Sequence, residues 1–159
     1  MPIHKLHTKQ LLPISIEKAW DFFSSPNNLA TITPPDLHFK VMSTLNSKSI
    51  FAGMKIDYRV KPLFGIEVKW QTLISEVAEP YHFTDKQLKG PYKLWEHSHT
   101  FTTTPNGVMM CDDVTYQLPF GIIGELAHSL FVSKRIEEIF NFRFEVLEKI
   151  FDKEHDLVG

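Results

Sequence analysis

The chain has a single cysteine, Cys111, in 159 residues. An internal disulfide is therefore excluded, which fits a reducing compartment. No run approaches the roughly 18 consecutive apolar residues of a membrane helix. The opening M-P-I-H-K-L-H-T-K-Q has no apolar signal core. Neither sign of charge dominates: 17 Lys and Arg stand against 19 Asp and Glu, a formal net charge of -2. A basic stripe, the footprint of a nucleic-acid binder, is missing. Internal repeats, low-complexity segments and linkers are also missing, and so are phosphate loops, nucleophile elbows and CxxC pairs. These absences predict a cytoplasmic protein of one domain, residues 1–159, with no nucleic-acid partner, no integral membrane association and no cofactor. A chain of this length buries roughly 70% of its unfolded surface, enough for a core without covalent staples.

The most informative segment runs from Phe83 to Phe101, F-T-D-K-Q-L-K-G-P-Y-K-L-W-E-H-S-H-T-F. Two strand-like runs flank the turn dipeptide Gly90-Pro91. Alternate residues of a strand share a face, so Trp95, His97, His99 and Phe101 point one way. In the preceding run Phe83, Asp85 and Gln87 line up together. Large aromatics mixed with two His, an Asp and a Gln suit neither a plain core nor a plain wet surface. They suit a mostly apolar cavity with a few fixed polar groups.

Elsewhere the pattern predicts seven strands and three helices. A first strand covers residues 3–12. Ser15 then caps a helix with Ile16, Ala19, Trp20 and Phe23 on one face. Ser25-Pro26 ends it and caps a second short helix over 27–32. Strands are expected over 37–42, over 54–61 (Met54, Ile56, Tyr58 and Val60 inward) and over 66–74 (Ile66, Val68, Trp70, Thr72 and Ile74 inward). A polar turn spans 46–53 between the first two. A further strand covers 81–88, followed by the Trp95–Phe101 run. Asn106-Gly107 signals a hairpin. The last strand places Val108, Met110, Asp112, Val114, Tyr116 and Leu118 on one face. Residues 122–151 read as one uninterrupted helix of roughly 43 Å, with an apolar stripe through Leu126, Leu130, Ile136, Phe140, Phe144, Leu147 and Phe151. The polar tail from Asp152 reads as frayed.

Several motifs resemble the START / birch-pollen-allergen superfamily, also called SRPBCC, and most resemble its uncharacterised bacterial ligand-binding branch. They are I-T-P-P at 32–35, G-M-K-I-D-Y at 53–58, V-K-W-Q-T at 68–72, the 83–101 segment, and D-x-V-x-Y-x-L-P-F-G at 112–121. The resemblance spans essentially the whole chain. It implies an α+β helix-grip fold, in which a seven-stranded antiparallel sheet wraps a long C-terminal helix and two short helices follow the first strand. It also implies a cavity holding a small hydrophobic or amphipathic molecule, lipid-like or polyketide-like. It carries over no catalytic residue.

The ligand-contacting candidates are Tyr58, Trp70, Asp85, Gln87, Trp95, His97, His99, Phe101, Asp112 and Tyr116. Three readings compete at the polar positions. The first is a binder or carrier in which His97, His99, Gln87 and Tyr116 orient a ligand. The second is a cyclase, dehydratase or hydrolase using His97 or His99 with Asp112 or Asp85 as acid/base groups. The third is a metal held by His97-x-His99, with Asp112 or Gln87 completing the set. Two His on a strand are weak evidence for a metal, so none is expected. Asp85 has a rival role, bracing the Gly90-Pro91 turn. Cys111 falls on the outer face and reads as inert.

Overall fold

A computed structural model describes residues 2–44 and 49–158, with side chains through Asp152. Strand β1 (His4–Leu12) leads into helices α1 (Ile16–Phe23) and α2 (Pro26–Thr31). Strands β2 (Lys40–Val41), β3 (Lys55–Val60), β4 (Val68–Ala78), β5 (His82–Lys89), β6 (Leu94–Thr104) and β7 (Gly107–Gln117) follow. Helix α3 (Gly121–Ala127), a π-helical turn (His128–Val132) and helix α4 (Ser133–Val158) complete the chain. The seven strands form one antiparallel sheet in the order β1-β7-β6-β5-β4-β3-β2. The first strand thus pairs with the last, and the remainder is a meander. This is the helix-grip architecture that the motifs imply.

Local chemistry accounts for most element boundaries. Ser15 Oγ accepts the Lys18 amide at 3.2 Å and starts α1. Ser25 occupies the equivalent position of α2, but its side chain makes no capping bond; Pro26 in the first turn starts that helix instead. At the β6–β7 hairpin Gly107 has φ 135, and a Cβ there would meet the Leu12 carbonyl oxygen at 2.1 Å. Only glycine fits that close approach.

Several expectations need correction, and one lies partly outside the described residues. Residues 37–42 do not form a full strand: Pro35–Leu37 is a 3-10 turn, His38 is left-handed, and pairing is limited to Lys40–Val41. Ile66 lies outside β4 and is exposed. The turn expected over 46–53 begins outside the described residues; within them, Gly53 closes it by donating to the Ile74 carbonyl at 2.7 Å. The C-terminal helix is not uninterrupted, because a π turn at His128–Val132 resets its face. From its last residue onward Val132, Ile136, Leu147 and Phe151 are buried, while Ile123 and Leu126 before the turn and Leu130 and Phe131 within it stay exposed. Phe144 is also exposed. Helix α4 continues through the polar tail to Val158.

Candidate ligand cavity

The concave face of the sheet and helix α4 do not close on each other completely. Between them lies a cavity of about 220 Å³. Its sheet wall includes Tyr58 and Trp70 from β3 and β4, Phe83 from β5, and Trp95 from β6. Ile136, Ile139 and Phe140 of α4 form the opposite wall, and Pro26 and Leu29 of α2 close one side. Trp70 and Trp95 meet edge to face at 5.4 Å, and Tyr92 packs against both at 5.6 and 4.8 Å. This apolar lining is interrupted by one cluster of ionisable groups: Asp85, His97, His99 and Arg143.

Strand register assembles that cluster. His97 pairs with Asp85 across β5–β6, and His99 with Asp112 across β6–β7. His97 Nε2 and Asp112 Oδ1 are 2.8 Å apart, as are His99 Nε2 and Asp85 Oδ2. His99 Nδ1 lies 3.3 Å from Asp112 Oδ1, without the alignment of a hydrogen bond. From α4, Arg143 Nη2 donates to the same Asp112 oxygen at 3.2 Å. Both imidazoles stack at 3.8 Å, with Phe83 against the outer face of His99 at 4.0 Å. The guanidinium stands 5.6 Å over the Phe23 ring and 6.0 Å over that of Phe140.

Burial alone would favour neutral forms throughout. It acts to raise Asp112, but the Arg143 charge, the bond from His97 and the nearby His99 ring hold that carboxyl well below its usual range. Asp85 is likewise lowered, its burial outweighed by the His99 bond and the nearby cations. Burial acts to depress His99, yet its contacts with Asp112 and Asp85 raise it. His97 is lowered by burial and by repulsion from His99, despite Asp112. These directions favour carboxylates at Asp85 and Asp112 beside the Arg143 guanidinium, and a proton on His99 ahead of His97. With that proton the cluster is electrically balanced inside an apolar shell.

Of the ten candidates, Tyr58, Trp70, Asp85, Trp95, His97 and His99 line the cavity. The other four lie elsewhere. Phe101 is packed under Trp20 and Phe23 at 6.1 and 5.4 Å and is 1% exposed. Asp112 sits behind the imidazoles and reaches the cavity only through them. The Tyr116 hydroxyl bonds His128 Nε2 at 2.8 Å in a separate apolar cluster with Val114, Leu118 and Val132. Gln87 takes the turn-bracing role that was Asp85's rival reading, while Asp85 lines the cavity as expected. Gln87 donates to the Tyr92 carbonyl at 2.7 Å and accepts the Tyr92 amide at 3.1 Å, so it braces the turn. A Cβ on Gly90 would strike the Gln87 Oε1 at 2.4 Å, so the bare glycine lets this brace fold beneath the turn.

Arg143 is absent from the candidates, although its spacing from Ile136, Phe140 and Leu147 puts a cation on the apolar stripe of the helix. That misplaced charge was the available signal. Tyr92 has no comparable signal, since a residue just after a turn has no predictable facing.

Two groups among the described residues bring three potential metal-ligating residues within 4.8 Å of one another. In Asp85, His97 and His99 the guanidinium of Arg143 already supplies a cation to the cluster. In His4, Glu125 and His128 the groups are engaged at 3.0 Å between His4 and Glu125 and at 2.8 Å between His128 and Tyr116.

A second cavity of about 220 Å³ adjoins the first, sharing Pro62, Tyr92, Ile136 and Ile139 with it. Exposed apolar side chains crowd this end: Phe64 at 73%, Phe120 at 81%, Ile122 at 90% and Ile123 at 75%. No helix among the described residues is long and apolar enough to cross a membrane.

No protein-family model matches the chain, and no curated protein matches it in sequence. Solved structures do match in shape. A START superfamily protein from Mycobacterium smegmatis superposes with TM-score 0.67 at 14% identity, over 94% of this chain and 98% of its own. Ginseng (Panax ginseng) major latex-like protein 151 gives 0.66 at 13%, over 94% and 97%. Protein CV1439 from Chromobacterium violaceum gives 0.69 at 10%, over 92% and 96%. The chain therefore shares the helix-grip fold of these proteins, the fold its motifs lead one to expect.

Proposed function

We propose that the protein binds a small hydrophobic or amphipathic molecule in the cavity between sheet and helix, as a carrier or sensor that leaves the molecule chemically unchanged. The supporting observation is a space of about 220 Å³ with apolar walls and one electrically balanced polar cluster. A plain core would close to native packing density and leave no such void. The solved proteins of the same fold, a START superfamily protein among them, are consistent with this reading. The apolar rim around Phe64 and Phe120 suits an entrance through which a water-insoluble guest passes with little exposure.

The acid/base reading gains less support from the same geometry. His97 Nε2 is taken by Asp112 and His99 Nε2 by Asp85, while His99 Nδ1 also faces a carboxylate. These groups complete one another as a buried network does. The His/Asp contacts therefore read as structural pairing with ligand orientation.

Native mass spectrometry of freshly purified protein, followed by denaturing extraction, tests the proposal. A stoichiometric organic adduct is expected, lost in Leu29→Trp, which fills the cavity from α2. A bare mass, together with failure to bind an apolar fluorophore such as 1-aminoanthracene, would rule the carrier reading out.

A further inference from the structure

We infer that the bound molecule is uncharged and turns a neutral oxygen, carbonyl or hydroxyl, toward the Asp85–His97–His99–Arg143 wall, and that the site rejects carboxylates. This rests on the binder reading and adds to it the chemical class of the ligand.

The ionisable groups of the lining come from both the sheet and helix α4. Strand β3 contributes Tyr58, β5 Asp85, β6 His97 and His99, the turn before β6 Tyr92, and α4 Arg143. Asp112 of β7 stands immediately behind. Burial raises both phenols, so Tyr58 and Tyr92 stay neutral. Among the rest, two carboxylates meet one guanidinium and one imidazolium. No cation is left over for an anionic ligand.

A carboxylate entering here would lie in the same cavity as the Asp85 carboxylate, in a medium where like charges are costly. It would become acceptable only if His97 took up a proton, against both burial and the stacked His99 ring. The wall is short of something else. Arg143 Nε is buried without a hydrogen-bond partner, while His99 Nδ1 is turned to Asp112 at 3.3 Å. Unpaired buried donors are unusual in native proteins. An uncharged oxygen supplies acceptor lone pairs to this wall and leaves the balance of charge intact.

The probes are three naphthalenes of one shape: 2-acetylnaphthalene, 2-naphthoate and 2-ethylnaphthalene, titrated calorimetrically at pH 8. The ketone should bind tightest, exceeding the carboxylate by roughly tenfold or more, because a buried unmatched charge is opposed more strongly than a missing hydrogen bond. Any strengthening of naphthoate on acidification should begin only below the ordinary histidine range, where His97 gains its proton, with the ketone unchanged. Asp85→Asn, with its fold checked by circular dichroism, should narrow the gap between naphthoate and ketone. Naphthoate binding as tightly as the ketone at pH 8 overturns the inference while the cavity reading survives. So does 2-ethylnaphthalene equalling the ketone, since the polar wall would then be idle. Failure of all three to bind sinks the cavity reading itself.

Discussion

Arg143→Met tests the buried network directly. Methionine keeps an unbranched apolar stem against Phe23 and Phe140 and removes the guanidinium. Asp112, 1% exposed, then loses the cation 3.2 Å from its Oδ1 and keeps only imidazole partners. Removing one member of a buried ion pair costs about 3–5 kcal/mol, because the other charge stays behind. For a chain of this size each kcal/mol lowers the melting temperature by about 2–4 °C, so a fall of roughly 6–20 °C is expected. The pH dependence carries the sharper test. In the native protein the Asp112 carboxyl is depressed well below its ordinary value. Its stabilisation is present above the ordinary carboxyl range and is lost as pH falls through the folded value. In Arg143→Met burial acts with less opposition, the carboxyl rises, and protonation relieves the stranded charge. The deficit relative to wild type should therefore be largest at pH 7.5 and shrink toward pH 4.5. The double variant Asp112→Asn with Arg143→Met should recover part of the loss, since neither buried charge remains. Urea melts followed by tryptophan fluorescence give these differences. An Arg143→Met protein within about 1 kcal/mol of wild type at pH 7.5, the range of exposed pairs, would refute the account of the cluster.

Three further outcomes are expected. His99 is raised by its two carboxylates, so its stabilisation is fully present below the ordinary histidine range and is lost as pH rises through the folded value; His99→Gln should flatten that alkaline loss, and an unchanged stability–pH curve would count against the assignment. Gln87→Ala removes both bonds to the Tyr92 backbone, and at about 1 kcal/mol per bond it should cost roughly 2 kcal/mol and speed amide exchange at Tyr92; unchanged exchange would show that the turn holds without its brace. Tyr116→Phe breaks the 2.8 Å bond to His128 and should cost about 1 kcal/mol while leaving ligand affinity intact, because Tyr116 does not line the cavity. A drop in affinity would place the guest nearer the second apolar cluster than the geometry does.

The fold was legible because its determinants are local and periodic. Alternation set the inward faces of β3, β6 and β7, where Ile56, Tyr58 and Val60, His97 and His99, and Val108 to Tyr116 are buried as the pattern requires. Ser15 marked the start of α1, and Asn106-Gly107 marked the last hairpin. The errors fall where one residue changes the count. β4 runs on to Ala78, past the expected end at residue 74, and a register irregularity between Ile74 and Glu76 puts Val77 rather than Glu76 against the core. The π turn does the same to the C-terminal helix. Periodicity run straight through His128–Val132 assigns Leu126 and Leu130 to a stripe that actually begins at Val132. An inserted residue of this kind leaves no mark in composition.

The site was legible only as far as a single strand reaches. His97-x-His99 share a face by backbone geometry alone, and the mixture of Trp, His and Phe announced a cavity wall. What completes the wall arrives from other elements, and one-dimensional reading cannot deliver it. Asp85 and Gln87 occupy the same face two residues apart, and either could have braced the turn. Reach decided between them: the longer Gln side chain meets both backbone atoms of Tyr92 beneath Gly90, while Asp85 sits opposite His97 and bonds His99. Arg143 lies 31 residues from Asp112 and joins it only because α4 packs across the sheet. Its charge on an apolar helical stripe was nevertheless visible. A buried cation requires a buried counter-charge, and the inward Asp112 was already known from its strand. Charge balance could thus have paired the two before any contact was seen, and the same balance now argues that the guest they enclose carries no charge.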